Sequence, residues 1–291
     1  MPDRTIVITG ASDGIGAAAA RALARRGEQV VVVGRSPDKT EAVAREIGAP
    51  FHLADFARLD DVRALATTLR AQYPRIDVLA NNAGGLMGER ALTVDGHERT
   101  LQVNHLAPFL LTHELMGTLV ASRASVITTS SVAARLFGHL DLDDLENERG
   151  YSARKAYGDS KLANILFTVE LQRRFGDRGV SAAAFHPGVV ATGFASDTTD
   201  AMRFLYHTPL RHLLTVGPDK GADTLVWLAT RRPGPDWEPG RFYDKRRVAR
   251  TNPQASQPAL AAGLWERSAA MVGVDLGPAP DRRARGTHVE G

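Results

Sequence analysis

Traced by its apolar positions, the first two thirds of the chain alternate short β-branched runs with longer stretches of helical periodicity. Arg4–Thr9 (RTIVIT) and Gln29–Val33 (QVVVV) read as strands buried on both faces, because polar positions do not alternate with the apolar ones. Between them Ile15 to Arg26 is an alanine-rich helical stretch stopped by Gly27. Ser36 and Pro37 mark the next helix start, since proline is tolerated in the first helical turn. The series continues with strand Phe51–Leu53, helix Leu59–Gln72, strand Ile76–Ala80 and a long helix from about His97 to Val120. Strand Ser125–Thr129, helix Arg154–Phe175 and strand Val180–Phe185 follow. Buried strands separated by helices predict an α/β architecture, and right-handed crossovers close it into a doubly wound parallel sheet.

The rhythm breaks at about 192–216, where Phe194, Met202, Phe204, Leu205, Leu210, Leu213 and Leu214 stand among polar residues. This segment is expected to form an apolar lid over a substrate pocket. From 276 to 291 the chain is rich in Gly, Pro and Arg, the composition of a frayed tail. One domain over residues 1–275 with that tail is the expected organisation.

Composition narrows the function classes. An apolar fraction of 43% and a charged fraction of 24% are ordinary globular usage, enough for a core without staples. The net charge is +3 and the isoelectric point near 9.4, with arginines gathered at 246, 247, 250, 282, 283 and 285. Such clusters are solvated surface unless a broad basic face carries aromatic platforms, so no nucleic-acid partner is expected. The absence of cysteine excludes disulfides, thiolate metal sites and cysteine nucleophiles, and no metal site is expected. No signal segment precedes the first strand, and no apolar stretch approaches the roughly 18 residues of a membrane span. A cytoplasmic protein without a membrane span is therefore expected.

The first candidate chemistry lies where strand turns to helix. Thr9-Gly10-Ala11-Ser12-Asp13-Gly14-Ile15-Gly16 has the spacing G-x-x-x-G-x-G. Gly10 permits a tight turn, Gly14 lets backbone approach a ligand, and Gly16 allows close helix–strand packing. The helix N-terminus then offers free N–H groups and a positive dipole end to a pyrophosphate. At the end of the second strand stands Arg35, with no acid to bond an adenosine 2′-hydroxyl. A guanidinium there can pair with a 2′-phosphate, so NADP(H) is expected, with NAD(H) left open. Asp55, after the third strand, is placed to accept from an adenine amine or to cap a helix. Asn82, Ala83 and Gly84 close the fourth strand at the sheet edge where ligands bind.

Tyr157 and Lys161 stand four apart on one helical face. A tyrosine, with an ordinary pKa near 10, is a poor base until a nearby ammonium favours its phenolate. Ser130-Ser131 ends the fifth strand, where a hydroxyl can bond a substrate oxygen, and the Asn104 amide is placed to bind a water linking Lys161 to solvent.

Together, Thr9–Gly16, Asn81–Gly84, Asn104, Ser131, Tyr157/Lys161 and Pro187-Gly188 resemble the short-chain dehydrogenase/reductase family, in that family's order over roughly residues 4–273. The resemblance implies a Rossmann fold and a hydride-transferring oxidoreductase acting on a small-molecule alcohol, aldehyde or ketone. It implies Asn104, Ser131, Tyr157 and Lys161 as a catalytic tetrad, with Ser131 chosen because it precedes Val132-Ala133. It implies Gly10, Ser12, Asp13, Gly14, Ile15 and Gly16 as cofactor contacts, with Pro187, Gly188, Val190 and Thr192 near the nicotinamide. Leu101–Leu106, Ala156–Asn164, Phe185–Gly188 and Leu264–Ser268 are similar to the retinol dehydrogenase-like branch, as is the acidic connection of 25 residues between Ser131 and Tyr157. The apolar lid suggests a lipophilic alcohol, aldehyde or ketone. The family allows a monomer or a homo-oligomer. Two alternatives stand beside this reading: a regulatory nucleotide-binding protein without turnover, whose relatives lose the Tyr/Lys pair, and a C=C reductase, whose relatives also use cysteine.

Overall fold

The computed structural model describes residues 4–188 and 217–276. Among them are strands β1 (Thr5–Thr9), β2 (Gln29–Gly34), β3 (Phe51–Leu53), β4 (Val78–Asn81), β5 (Ser125–Thr129), β6 (Ser181–His186), β7 (Arg241–Asp244) and β8 (Arg247–Val248). They form one sheet in the order β3-β2-β1-β4-β5-β6-β7-β8, parallel throughout except for the final β7–β8 hairpin. The helices are α1 (Gly14–Ala24), α2 (Pro37–Ile47), α3 (Leu59–Gln72), α4 (Arg99–Leu101), α5 (Ala107–Glu114), α6 (Met116–Ser122), α7 (Ala133–Leu136), α8 (Ala153–Phe175), α9 (Pro218–Thr230) and α10 (Pro258–Met271). This is the doubly wound fold read from the sequence.

The strand pleat explains why both faces are apolar. Ile6 and Ile8 of β1 pack with Val30 and Val32 against α1, α2 and α9, while Val7, Val31 and Val33 face the opposite way. The second face carries the larger core, built with Leu65 and Leu69 of α3, Leu110 of α5, Leu162 and Leu166 of α8, and Trp265 of α10. On the first face, Ala17–Ala20 bury with no bulk, which lets α1 lie close to the sheet and to α9.

Topology places the site. After β3 the chain crosses back to the other side of β1, so β1 and β4 are neighbours whose crossovers leave in opposite directions. The crevice beyond their C-terminal ends is where open α/β sheets bind ligands.

Two elements differ from the sequence expectation. The fourth strand runs Val78–Asn81 rather than Ile76–Ala80, because Ile76 gives its N–H to the Ser122 hydroxyl instead of a neighbouring strand. The helix expected from about His97 to Val120 is broken into α4, a π turn at Gln102–Leu106, α5 and α6. Pro108 has no N–H for the Asn104 carbonyl four residues back, and its ring crowds that carbonyl. The chain widens by one residue, with the Ala107 N–H reaching Gln102. The expected lid at 192–216 and all but the first residue of the expected tail lie outside the described residues. No helix among the described residues is long and apolar enough to cross a membrane.

Candidate active site

A cleft of about 850 Å³ opens at the C-terminal edge of the sheet, over the β1–β4 switch point. At one end it is floored by the glycine loop. Gly10 has a left-handed φ of +64°, and a Cβ on Gly16 would lie 2.2 Å from the Gly10 carbonyl oxygen, so neither position tolerates a side chain. Gly10, Ser12, Asp13, Gly14, Ile15 and Gly16 all line the cleft. Asp13 N-caps α1, its Oδ1 accepting from the Gly14 N–H at 2.7 Å. Its Oδ2 pairs with Lys39 Nζ at 3.0 Å, and that bond, followed by the Gly14 amide, holds the carboxyl below its ordinary range. The carboxylate is thereby neutralised, while the N–H groups of Ile15 and Gly16, in the first turn, have no acceptor within the helix.

Arg35 lines the same end, exposed and without an ion-pair partner among the described residues. Lys39 lines it too and is absent from the sequence reading; its signal is its place four residues after Arg35, in the first turn of α2. Asp55 does not line the cleft. Its Oδ1 accepts from the Ala57 N–H at 3.0 Å and its own N–H donates to Asp61, so the residue shapes the turn after β3.

Asn82 ties three strand ends together. Its Nδ2 donates to the carbonyls of Thr9 (3.0 Å) and Gly10 (3.3 Å), and its Oδ1 accepts from Thr129 Oγ1 at 3.2 Å. Ala83 and Gly84 continue the wall, and a Cβ on Gly84 would stand 2.5 Å from Asn104 Oδ1 and 3.3 Å from Lys161 Nζ. Backbone there must be bare for the two side chains to meet it.

Tyr157 and Lys161 share the cleft-facing side of α8, with Lys161 Nζ 5.5 Å from the Tyr157 ring centroid. Lys161 is 2% exposed, and its Nζ donates to the Thr129 carbonyl at 3.2 Å. Burial pushes the amine down to about 7, the cost of keeping an ammonium away from water. The two serines at the end of β5 are physically distinct. Ser130 is buried and donates its hydroxyl to the Lys161 carbonyl at 2.7 Å. Ser131 is half-buried in the cleft, and its Oγ accepts from the Ala133 N–H at 3.1 Å, which leaves its proton for a ligand oxygen.

Asn104 is buried in the π turn behind this wall rather than in the cleft lining. Its Oδ1 accepts from the Gly85 N–H at 2.8 Å, and its Nδ2 donates to the Gly85 carbonyl at 2.9 Å and to Ser160 Oγ at 3.0 Å. Ser160 in turn donates to the Tyr157 carbonyl. The side-chain amide therefore braces the β4 end against α8. Pro187 and Gly188 line the cleft next to the buried His186, and Val190 and Thr192 lie outside the described residues. At the far end the walls are apolar, with Leu86, Val132, Ala133 and Phe137, and Arg154 stands one turn before Tyr157.

The arrangement fits a dinucleotide. The bare glycine floor and the α1 N-terminus suit a pyrophosphate, Arg35 suits an anionic group beyond it, and the Gly84 wall leaves room beside Tyr157 and Lys161.

Comparison with known proteins accords with this geometry. The family model described as short chain dehydrogenase matches residues 4–203. The Streptomyces sp. (strain C5) protein named as a daunorubicin C-13 ketoreductase, DnrU, is 46% identical, with 94% of each chain covered. Human retinol dehydrogenase 13 is 37% identical, over 94% of this chain and 86% of its own. A crystal structure of an uncharacterized protein from Mycobacterium paratuberculosis superposes with a TM-score of 0.75 at 35% identity, covering 94% of both chains. The protein belongs to the short-chain dehydrogenase family of oxidoreductases, with retinol dehydrogenase-like relatives.

Proposed function

We propose that the protein interconverts an alcohol and its aldehyde or ketone with NADP(H), on a substrate whose body is lipophilic. The observation that carries the reading is the Lys161 amine, buried 5.5 Å from the Tyr157 ring and opening on the same cleft as the glycine loop. A bound nicotinamide supplies the hydride acceptor for oxidation and the donor for reduction. The substrate oxygen is held by the Ser131 hydroxyl. Tyr157 takes the alcohol proton as a phenolate, or returns it to the carbonyl oxygen as a phenol. Lys161 in its ammonium form favours the phenolate, and the phenolate in turn favours the ammonium against the burial that depresses it. Arg35 supports the 2′-phosphate form of the cofactor, since it faces the cleft without an ion-pair partner among the described residues, the nearby Asp13 being paired with Lys39. The apolar wall of Leu86, Val132, Ala133 and Phe137 supports the lipophilic substrate, and the ketoreductase and retinol dehydrogenase relatives agree with a carbonyl or alcohol at the reacting centre.

The test is to follow NADPH absorbance with a panel of aldehydes and ketones. Tyr157→Phe should lower kcat by about 10²–10⁴ with the fold intact, the usual weight of a positioned acid or base. A Tyr157→Phe protein as fast as the wild type would refute the mechanism.

A further inference from the structure

His105 follows Asn104 in the π turn and has no role in the chemistry above. It is completely buried, and both ring nitrogens are engaged: Nδ1 lies 3.4 Å from Asn164 Oδ1 and Nε2 lies 2.8 Å from Ser268 Oγ. Burial pushes the ring down to about 4, so it is neutral at physiological pH and one nitrogen must accept. Asn164 settles which. Its Nδ2 donates to the Thr129 carbonyl at 3.1 Å, which leaves its Oδ1, an acceptor only, facing His105. Nδ1 therefore carries the proton, and Nε2 accepts from the Ser268 hydroxyl. The donors run one way, from Ser268 of α10 through His105 and Asn164 to the Thr129 carbonyl, each bond polarising the next. That carbonyl is the one to which Lys161 Nζ donates. Asn164 occupies one of its lone pairs and leaves the other aimed at the lysine.

We infer that His105 is a positioning residue for Lys161, acting through Asn164 and the Thr129 carbonyl, and that the docking of α10 through Ser268 holds the active-site lysine in place. The inference rests on the proposed pairing of Lys161 with Tyr157. A packing role alone does not account for the residue. His105 sits among the rings of Phe109 and Phe167, where a phenylalanine would bury without leaving polar nitrogens to satisfy. Consecutive residues of the π turn point to different sides of the helix, Asn104 to the Gly85 backbone and His105 to Asn164. The titratable group facing Lys161 is Tyr157, on its own helix. His105 faces Asn164, Ser268 and the two rings, and no carboxylate pairs with Lys161 or His105 among the described residues.

His105→Phe keeps the ring packing and removes both bonds, and Ser268→Ala removes only the first donor. Two measurements read the relay. The first is the pH profile of alcohol oxidation with NADP⁺. The second is the titration of the Lys161 ε-carbon by NMR in ¹³C-lysine protein without cofactor. With Asn164 no longer anchored by His105, its hold on the Thr129 carbonyl slackens, the carbonyl accepts less well from the ammonium, and the ammonium stabilises the phenolate less. For His105→Phe we expect the Lys161 midpoint to fall and the oxidation midpoint to rise, each by about 0.5 pH unit or more. We also expect kcat to fall about tenfold with KM nearly unchanged, as for an interaction made in the transition state. Ser268→Ala should move each quantity the same way by less. In a Lys161→Ala background His105→Phe should cause no further loss of kcat, since the two act as one unit. Folded variants with wild-type midpoints, or losses that multiply in the double variant, would overturn the inference. If His105→Phe does not fold, Ser268→Ala decides by the same two midpoints. If the wild type turns over no alcohol or carbonyl compound, the proposed function falls, and the Lys161 titration still decides the relay.

Discussion

Lys161 should make the protein without cofactor less stable than it would be with an apolar residue in its place. Its amine is depressed from 10.5 to about 7 by burial, and no carboxylate pairs with it among the described residues. Each pH unit between folded and unfolded values is worth about 1.4 kcal/mol, so at pH 7 the lysine opposes folding by up to roughly 4 kcal/mol. Lys161→Met keeps a long apolar stem and removes the charge. The Thr129 carbonyl keeps Asn164 as its donor, so the substitution strands no buried acceptor. Local relaxation around the wild-type amine returns part of the difference, and the expected gain is about 2 kcal/mol, or roughly 3–6 °C in Tm. The sign follows from proton binding. Between about 7 and 10.5 the unfolded chain holds a proton on this lysine that the folded chain has released. The stability of the wild type relative to Lys161→Met must therefore rise with pH through that window. The advantage of the variant is complete below about 7 and vanishes as pH approaches 10.5. Urea unfolding followed by tryptophan fluorescence, at pH 7 and at pH 10, measures both points. A variant no more stable than the wild type at pH 7, or an advantage unchanged at pH 10, would refute the reasoning. The same variant should turn over about 10²–10⁴-fold more slowly, the weight of a group that sets the acid–base pair, so the residue that costs stability is the one the proposed chemistry needs.

Arg35→Ala should weaken NADPH binding about 10–100-fold while changing NADH binding little, the loss of one charge-assisted contact; equal losses in fluorescence titrations with the two cofactors would sink the 2′-phosphate assignment. Ser131→Ala should lower kcat about 100-fold with Tm unchanged, whereas Ser130→Ala should cost about 1 kcal/mol of stability and leave the rate within a few-fold. The reverse ranking would exchange the two roles. Asn252 donates to the carbonyls of Ala134 (2.9 Å) and Gly138 (2.7 Å), bracing the loop that presents Phe137 to the cleft. Asn252→Ala should lower Tm by several degrees and raise the substrate KM while the Kd for NADPH stays put, which calorimetry and steady-state kinetics would separate.

What the sequence made legible, and what it hid, follows from the range of each interaction. The β-branched runs and the glycine loop act within a strand or a turn, so local pattern exposes them, whereas the Tyr157/Lys161 spacing is common in helices and becomes legible only beside the glycine loop, the strand-end serine and Asn104. The π turn was hidden because it arises from the proline at 108 acting on the carbonyl at 104 inside a pattern that otherwise reads as continuous helix. The elements after residue 217 gave weaker signals. Strand β7 (RFYD) is four residues long, and α10 buries Leu264 and Trp265 against a core whose other members lie far away in the chain. Lys39 was missed because an exposed lysine in a first helical turn has no periodic signature, and only the fold brings it to Asp13. His105 is the extreme case. Its partners stand 59 and 163 residues away, and in the helical pattern a phenylalanine at that position would have matched the apolar stripe better. A buried polar residue where the local pattern asks for an apolar one is a conflict between levels, and such conflicts concentrate where function constrains the chain. Here the conflict lies two hydrogen bonds from the carbonyl that receives the lysine of the proposed active site, which is why His105 is read as part of that site rather than as a tolerated irregularity of the core.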